Sequence, residues 1–299
     1  MKYQFKTSAD LLKLAAKYKM PISEIAINYE IETFKKNRKE IIEKMARNLM
    51  IMREAVKKGV NTNKKSFTGM SGGNAKKMYQ FYESRKQKLL NKTALVAMSY
   101  AMATGEMNAA MGRIVAFPTA GGAGTVPAGI LSVAEGLRLS DNKIFAGLFT
   151  ASAIGMIIAE NATLAGAEGG CQAEVGSSAA MAAAGITEMR GGNSAQCLNA
   201  AALALKNMLG LTCDPLGGLV EVPCIKRNAV GVITAISASE MAMAGIETFV
   251  PFDEIVKAMK NIGNLMAAEL KETALGGLAI TPTGCKIRKK IGLPPIKSL

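Results

Sequence analysis

The chain has 299 residues, of which 49% are apolar and 20% are charged, so it is long enough to bury a large core and is not disordered. Aromatic residues make up only 5%, while Gly, Ala and Met are abundant, which favours closely packed helices over a β-sandwich. The absence of histidine excludes the commonest general base and the commonest zinc ligand from the chemistry of this chain.

The formal net charge of +14 comes entirely from the first third of the chain. Residues 1–92 carry 22 Lys or Arg and 8 Asp or Glu, whereas residues 93–299 carry 15 of each kind. A basic region of this kind suits nucleic acid, an acidic membrane surface, an acidic protein or a solvated helical face. Arg-Gly repeats, zinc-finger spacing and interleaved aromatics are all missing, so we expect an acidic subunit and no nucleic acid.

The N-terminal region is predicted to be helical and basic. Ser8-Ala-Asp10 is typical of a cap for a short first helix that ends near Lys19 and is interrupted by Pro21. From Ser23, apolar residues recur at helical spacing up to Gly59, which predicts one long amphipathic helix. A loop of small and polar residues follows over 61–74, and helical patterns resume over 75–103.

The remainder of the chain alternates Gly/Pro-rich turns with Ala-rich helical segments. Its longest apolar run, Ile144 to Ala159, is short for a membrane span and predicts a buried helix. No alternating pattern predicts a sheet, so we expect one all-α domain over 1–299, a compact bundle with a basic region at 1–92 and a core and tail at 93–299. The predicted core helices lie near 128–137, 143–160, 172–184, 193–209, 229–243 and 252–270.

No secretory signal is apparent, because Met1 to Lys6 leads directly into an amphipathic pattern. Five cysteines without such a signal indicate a reducing compartment, where thiols serve as ligands or nucleophiles more often than as disulfides. We therefore expect a cytoplasmic protein that does not enter a membrane.

The loop from Gly112 to Pro127 concentrates glycines and hydroxyls before a predicted helix. Backbone amides at a helix start can cradle a carboxylate or a phosphate, although a purely structural turn fits the same composition. The loop lacks the Gly-Lys-Ser/Thr of a Walker motif, and no strand precedes it, so a nucleotide site is disfavoured.

Two further glycine-rich loops contain three cysteines, Cys171, Cys213 and Cys224. Each thiol lies beside Gly, Pro or a helix start, where we expect amides and the helix N-terminus to favour the thiolate. Their spacing is not that of a zinc ribbon, and three thiolates can hold an iron-sulfur cubane with one iron left open. Isolated buried thiols remain the alternative. Cys197 is predicted to be a core residue, and Cys285 to lie in a mobile tail.

Four separated motifs resemble the α subunit of iron-sulfur-dependent L-serine dehydratase, in the order of that family and over nearly the whole chain. They are Glu106 to Gly122, Gly170 to Ser177, Cys213 to Cys224 and Gly276 to Ala279, together with Thr7-Ser-Ala-Asp-Leu-Leu and Thr68 to Gly73. The resemblance implies an all-helical catalytic domain, an oxygen-sensitive [4Fe-4S] cluster, no pyridoxal phosphate and a β subunit.

The resemblance also implies roles for individual residues. Cys171, Cys213 and Cys224 match the positions of the cluster ligands, and Cys285 matches a terminal cysteine that is the fourth ligand in single-chain relatives. In this chain 14 residues follow Cys285, which must be accommodated at the mouth of the site.

The implied reaction is the dehydration of L-serine to aminoacrylate, which hydrolyses to pyruvate and ammonia. The open iron would act as a Lewis acid on the leaving hydroxyl. Asp214, Glu174, Lys226 and a group from the β subunit all remain candidates for the base that takes the α proton. Two loops are expected to hold the carboxylate and amino groups of the substrate; they comprise Ser71, Gly72 and Gly73, and Pro118, Thr119, Ala120, Gly121 and Gly122.

Three alternatives compete with this function. A pyridoxal-phosphate dehydratase would need an α/β core with a Schiff-base lysine, which the periodicity does not predict. A non-enzymatic, basic nucleic-acid-binding scaffold would bind DNA or RNA in a salt-sensitive way. A cluster-dependent lyase for threonine or cysteine differs from the serine enzyme by small changes in a pocket wall.

Overall fold

The computed structural model describes residues 1–298, and within that range the chain forms thirteen α-helices and no β-strand. The sole β-type pairing among these residues is an isolated bridge between Cys213 and Lys271. The predicted all-α fold is confirmed. The helices are α1 (Ser8–Tyr18), α2 (Ile22–Phe34), α3 (Arg38–Asn61), α4 (Asn74–Glu83), α5 (Lys92–Ala109), α6 (Thr125–Leu137), α7 (Asp141–Asn161), α8 (Gly166–Gly169), α9 (Ser177–Met189), α10 (Ser194–Lys206), α11 (Cys224–Met243), α12 (Phe252–Leu265) and α13 (Pro282–Lys290).

Helix α9 lies at the centre of the molecule, and all of its residues are buried. It packs against α6, α7, α10 and α11, which surround it. Small residues make this packing possible, because a Cβ at Gly185 would lie only 2.5 Å from the carbonyl oxygen of Gly147 on α7. The abundance of Ala and Gly in the sequence therefore reflects a core of closely spaced helices.

The predicted single helix from Ser23 to Gly59 is wrong, because the chain breaks into α2 and α3. Lys35 adopts a left-handed conformation that ends α2. Asn37 then caps α3 in a reciprocal pair with Glu40, whose carboxylate accepts from the Asn37 amide. The apolar spacing continues across the break because both helices pack onto the same core.

Helix α7 is long and apolar enough to span a membrane by length and composition alone. Its most apolar 18-residue window is 61% buried, and the helix packs between α2 and α9. The prediction of a buried helix at Ile144 to Ala159 is therefore confirmed.

The C-terminal region also differs from its predicted form. The expected helix over 252–270 ends at Leu265, and a separate 3₁₀ turn covers Ala268–Leu270. Cys285 lies on α13, a helix that the sequence patterns did not predict, and the mobility of this tail stays a prediction. Thr281 caps this helix and Pro282 occupies its first turn, a combination that favours helix initiation. Helix α13 packs against the turn Leu216–Gly218, between two of the motif cysteines.

Candidate functional site

Three predicted ligands, Cys171, Cys213 and Cys224, come together in the structure. Cys171 precedes a π-helical turn over Gln172–Gly176, Cys213 lies in the loop after α10, and Cys224 is the first residue of α11. All three thiols are buried and none forms a disulfide. They are close enough for charge on Cys171 to raise the pKa of both other thiols.

Burial raises the pKa of all three thiols. The pKa of Cys171 rises to about 11 and that of Cys224 to about 12, although the nearby Arg227 guanidinium opposes both shifts. The pKa of Cys213 is also raised, by burial and then by the charges of Cys171 and Glu174. Backbone hydrogen bonds lower the pKa of Cys171 and Cys224, as expected, but desolvation outweighs them. A bound cation would reverse this balance by stabilising the thiolates directly.

Two carboxylates lie beside Cys213. Single ligand atoms from Glu174, Glu272 and Cys213 all lie within 4.8 Å of one another. Glu174 is buried, and its Oε1 accepts a hydrogen bond of 2.8 Å from the Thr119 hydroxyl. Burial, and then the charge of Glu272, raises the pKa of Glu174. This group is the tightest set of potential ligand atoms around the thiols.

Sequence reasoning missed Glu272, because no motif spacing connects it with Cys213. A backbone hydrogen bond connects the two residues instead: the Glu272 amide donates to the Cys213 carbonyl at 2.7 Å. Glu272 has a left-handed φ of 64°, which is uncommon for a residue other than glycine. Such a conformation persists only where its surroundings enforce it.

Two glycines leave space around the carboxylates. A Cβ at Gly121 would contact the carboxylate of Glu174. A Cβ at Gly166 would lie 2.9 Å from a Glu174 oxygen and 3.2 Å from the Cys213 sulfur. Any larger residue at either position would displace the groups of the site.

Asn228 anchors the predicted substrate loop Pro118 to Gly122, and sequence reasoning missed it. Its Oδ1 accepts from the amides of Gly124 and Thr125 at 3.0 and 3.1 Å, and its Nδ2 donates to the Gly121 carbonyl at 2.6 Å. The amides at the start of α6 are thus satisfied within the protein.

The amides of Ala120 and Gly121, by contrast, donate no hydrogen bond to any group in residues 1–298. They remain available to bind an anion, as the predicted carboxylate-binding site at this loop requires.

The second predicted substrate loop is held by two buried carboxylates. Glu221 accepts from the hydroxyls of Ser71, at 2.6 Å, and Thr68, at 3.0 Å. Glu106 accepts from the amides of Gly72, at 3.1 Å, and Asn74, at 2.8 Å. Since Glu221 lies three residues before Cys224, it connects this loop to the cysteine loop.

Ser71 is itself buried and bonded to Glu221, and Gly73 precedes α4 in a left-handed conformation. A substrate contact by Ser71, Gly72 or Gly73 stays a prediction.

The three candidate bases occupy different environments. Asp214 is buried in an ion pair with Arg227 (2.8 Å) and accepts from the Leu278 amide at 2.8 Å, so it anchors the C-terminal segment. Lys226 is exposed on α11. Glu174 alone lies among the thiols, beside the substrate loop. The geometry therefore favours Glu174.

Cys285 is half-buried on α13, where its thiol donates to the Ile280 carbonyl at 3.7 Å. This bond joins the thiol to a carbonyl five residues earlier in the chain. Its role as a fourth ligand stays a prediction.

Comparison with known proteins identifies the family of this chain. Residues 17–279 match the family model described as "Serine dehydratase alpha chain". The chain is 47% identical over 287 residues to "Probable L-serine dehydratase, alpha chain" of Bacillus subtilis, covering 96% of this chain and 95% of that protein. It is 41% identical to "L-serine dehydratase, alpha chain" of Peptoniphilus asaccharolyticus, covering 95% and 97%. It is also 38% identical to "L-serine dehydratase" of Streptomyces coelicolor, covering 95% of this chain but 63% of that longer protein. With this match over most of its length, the chain belongs to the serine dehydratase alpha chain family.

Proposed function

We propose that this chain is the catalytic α subunit of an enzyme that deaminates L-serine to pyruvate and ammonia, with a [4Fe-4S] cluster bound by Cys171, Cys213 and Cys224. The observation that supports this most directly is the convergence of three buried, free thiols from separate loops. Relatives that are 41% and 47% identical are named as L-serine dehydratase α chains, and we take L-serine as the substrate from these names.

The residues fit an iron-sulfur cluster by their chemistry. Thiolates are the preferred ligands of such clusters. Gly166 keeps the space beside Cys213 free, since any side chain there would meet the sulfur. When bound, a cluster with three protein ligands supplies an open iron that acts as a Lewis acid toward the leaving hydroxyl.

Residues of the chain itself would orient the substrate. The free amides of Ala120 and Gly121 are placed to bind the serine carboxylate, and Asn228 fixes the loop that presents them. The Thr119 hydroxyl bonds Oε1 of Glu174 and holds that carboxylate beside the loop.

Glu174 is then placed to take the α proton on Oε2 and to pass that proton to the departing β-hydroxyl, which leaves as water. The resulting aminoacrylate tautomerises and hydrolyses to pyruvate and ammonia without further help from the chain.

A second chain completes the proposed enzyme. Relatives named as α chains match this chain over 95% and 97% of their lengths, whereas the Streptomyces protein is covered over only 63%. The extra part of the longer protein supports a separate β subunit here. The basic surface of residues 1–92 suits an acidic partner in the cytoplasm.

We expect co-expression with such a β subunit to raise specific activity well above that of the α chain alone. Full activity of the isolated α chain, unaffected by salt or by the partner, would contradict this part of the proposal.

The cluster is tested by anaerobic purification of single cysteine variants. The wild-type protein should contain about four irons and about four sulfides per chain, because this is the composition of a cubane cluster. Replacement of Cys171, Cys213 or Cys224 by Ala should abolish colour, iron and activity. Cys197→Ala is the matched control, because Cys197 is equally buried but packs in α10 within the core. Iron retained in all three single variants would overturn the ligand assignment.

The fourth position is tested by Cys285→Ser. If Cys285 covers the open iron at rest, the variant should keep its iron, change its absorption spectrum and lose activity faster in air. An unchanged spectrum and an unchanged oxygen sensitivity would exclude Cys285 from the cluster.

A further inference from the structure

A separate cavity of about 120 Å³ lies between α2, α3 and α7. Its fourth wall is the segment that leads into the loop Pro118 to Gly122. A volume of this size holds several water molecules, and hence a small organic ligand. The side chains that determine its chemistry are Glu30, Lys44, Asn48, Val115, Phe117 and Phe149.

Two opposite charges line this cavity without pairing. Glu30, on α2, is half-buried and makes no hydrogen bond or ion pair within residues 1–298. Burial raises the pKa of Glu30, and Lys44 on α3 opposes the shift. The Lys44 ammonium lies 5.2 Å from the centre of the Phe34 ring and forms no salt bridge in the described part of the chain. The Glu30 carboxylate is therefore free to bind an external group, and the exposed Lys44 ammonium would give up only its contact with the Phe34 ring.

The rest of the wall is mostly apolar. Phe149 is fully buried, and Val115 and Phe117 contribute partly buried surface on the loop side. Asn48 adds an amide that makes no hydrogen bond elsewhere in residues 1–298. The combination of an anion, a cation and an apolar wall matches a small zwitterion with a short hydrocarbon side chain.

We propose that this cavity binds a small aliphatic α-amino acid, with its ammonium at Glu30 and its carboxylate at Lys44. Charge-assisted hydrogen bonds at both ends would fix the orientation of the ligand. The apolar wall would accept a short side chain.

The cavity is connected to the proposed active site through the backbone. Phe117 lines the cavity, and the next residues, Pro118 and Thr119, begin the substrate loop. Thr119 bonds Glu174, which is the proposed base. A ligand against Phe117 would therefore bias the position of this loop, so we expect it to alter turnover. That effect rests on the proposed function, whereas the binding itself does not.

Isothermal titration calorimetry with L-valine on the full chain tests the binding without reference to activity. L-Valine has no β-hydroxyl and cannot be dehydrated. We expect one saturable site, with affinity reduced at least about tenfold by Glu30→Gln or Lys44→Met, since each variant removes the charged partner of one end of the ligand. Thermal unfolding of each variant confirms that it is folded.

The matched controls are Glu43→Gln and Lys39→Met, on the same helix α3. These residues form an exposed pair at 4.0 Å and do not line the cavity, so L-valine binding should be unchanged. Isobutylamine, which lacks the carboxylate, should bind at least about tenfold more weakly than L-valine.

Absence of saturable L-valine binding would overturn the inference, as would binding that survives both cavity variants. Equal affinity for isobutylamine would exclude the zwitterion. If L-valine binds as expected to a chain that does not deaminate serine, the cavity assignment stands and the proposed function fails.

Discussion

Two pairs of buried or half-buried carboxylates in this molecule differ in how fully they are hydrogen-bonded. Glu106 accepts four hydrogen bonds, from Gly72, from the backbone and side chain of Asn74, and from Ala75. Glu221 accepts hydrogen bonds from two hydroxyls. Glu174 accepts a hydrogen bond from only one hydroxyl, and it lies beside Glu272 and the Cys213 thiol.

The difference separates structural groups from reactive ones. A buried carboxylate with a full set of donors stabilises the loop that supplies them. A buried carboxylate with few donors pays a desolvation penalty that its own hydrogen bonds do not offset. Burial with a single donor therefore disfavours the charged form of Glu174, whose pKa is raised.

The largest expected effect comes from Glu174→Gln. If Glu174 is the base, kcat/KM for L-serine should fall about 10²–10⁴-fold, the usual contribution of a positioned base. The iron content and the thermal stability should be maintained, because the amide keeps the acceptor for Thr119 and removes a costly buried charge. Steady-state kinetics on the anaerobic enzyme measures this, and activity above a tenth of wild type would place the base elsewhere.

Asp214→Asn should chiefly reduce stability. The substitution removes the charge that pairs with the Arg227 guanidinium, whose side chain is 19% exposed, so we expect a loss of about 1.5–3 kcal/mol. Urea unfolding should show this loss at pH 7. A variant as stable as wild type but inactive would instead identify Asp214 as catalytic.

Glu106→Gln should destabilise the fold by about 2 kcal/mol, because one acceptor oxygen is replaced by a donor that faces backbone amides. The matched control is Glu83→Gln on the exposed end of α4, for which we expect no change in unfolding free energy. If the two variants unfold alike, the hydrogen bonds of Glu106 contribute nothing net to stability.

The smallest effect concerns pH and Glu188, whose carboxylate is buried although Ser23 and Thr150 donate to it. Burial raises its pKa above the ordinary 4.5. The folded state therefore binds its proton more tightly than the unfolded state does. The resulting stabilisation is present below pH 4.5 and is lost as pH rises through the raised pKa.

The unfolding free energy should thus decline across this interval by at most about 1.4 kcal/mol per pH unit for this group. Urea titrations at several pH values should show a shallower decline in Glu188→Gln. An identical pH dependence in the variant would exclude Glu188 as its source.

Local patterns predicted most of the helices, because each amphipathic or Ala-rich segment packs as its spacing indicates. The break between α2 and α3 also had a local signal, the Asn37 and Glu40 capping pair, but continuous apolar spacing concealed it. Helix α13 was missed because its exposed, basic sequence lacks an apolar stripe, even though Thr281 and Pro282 are typical of a helix start.

The site was predictable only where family motifs contained the residues. Glu106 and Glu221 both lay inside quoted motifs, yet nothing in their spacing showed that they hold the loop around Ser71. Asn228 and Glu272 act through contacts with residues far away in the sequence, which no local pattern encodes. Burial likewise determined the thiol pKa values, and burial depends on the whole fold.

Helix α13 has a practical consequence for handling the protein. It rests on the turn Leu216–Gly218, and its Lys290 ammonium donates to the Thr68 carbonyl at 3.2 Å. Helix α13 therefore connects the loop between Cys213 and Cys224 with the loop around Ser71. A C-terminal affinity tag that displaces this helix, or a truncation before Pro282, would destabilise both loops. An expression tag therefore belongs at the N-terminus.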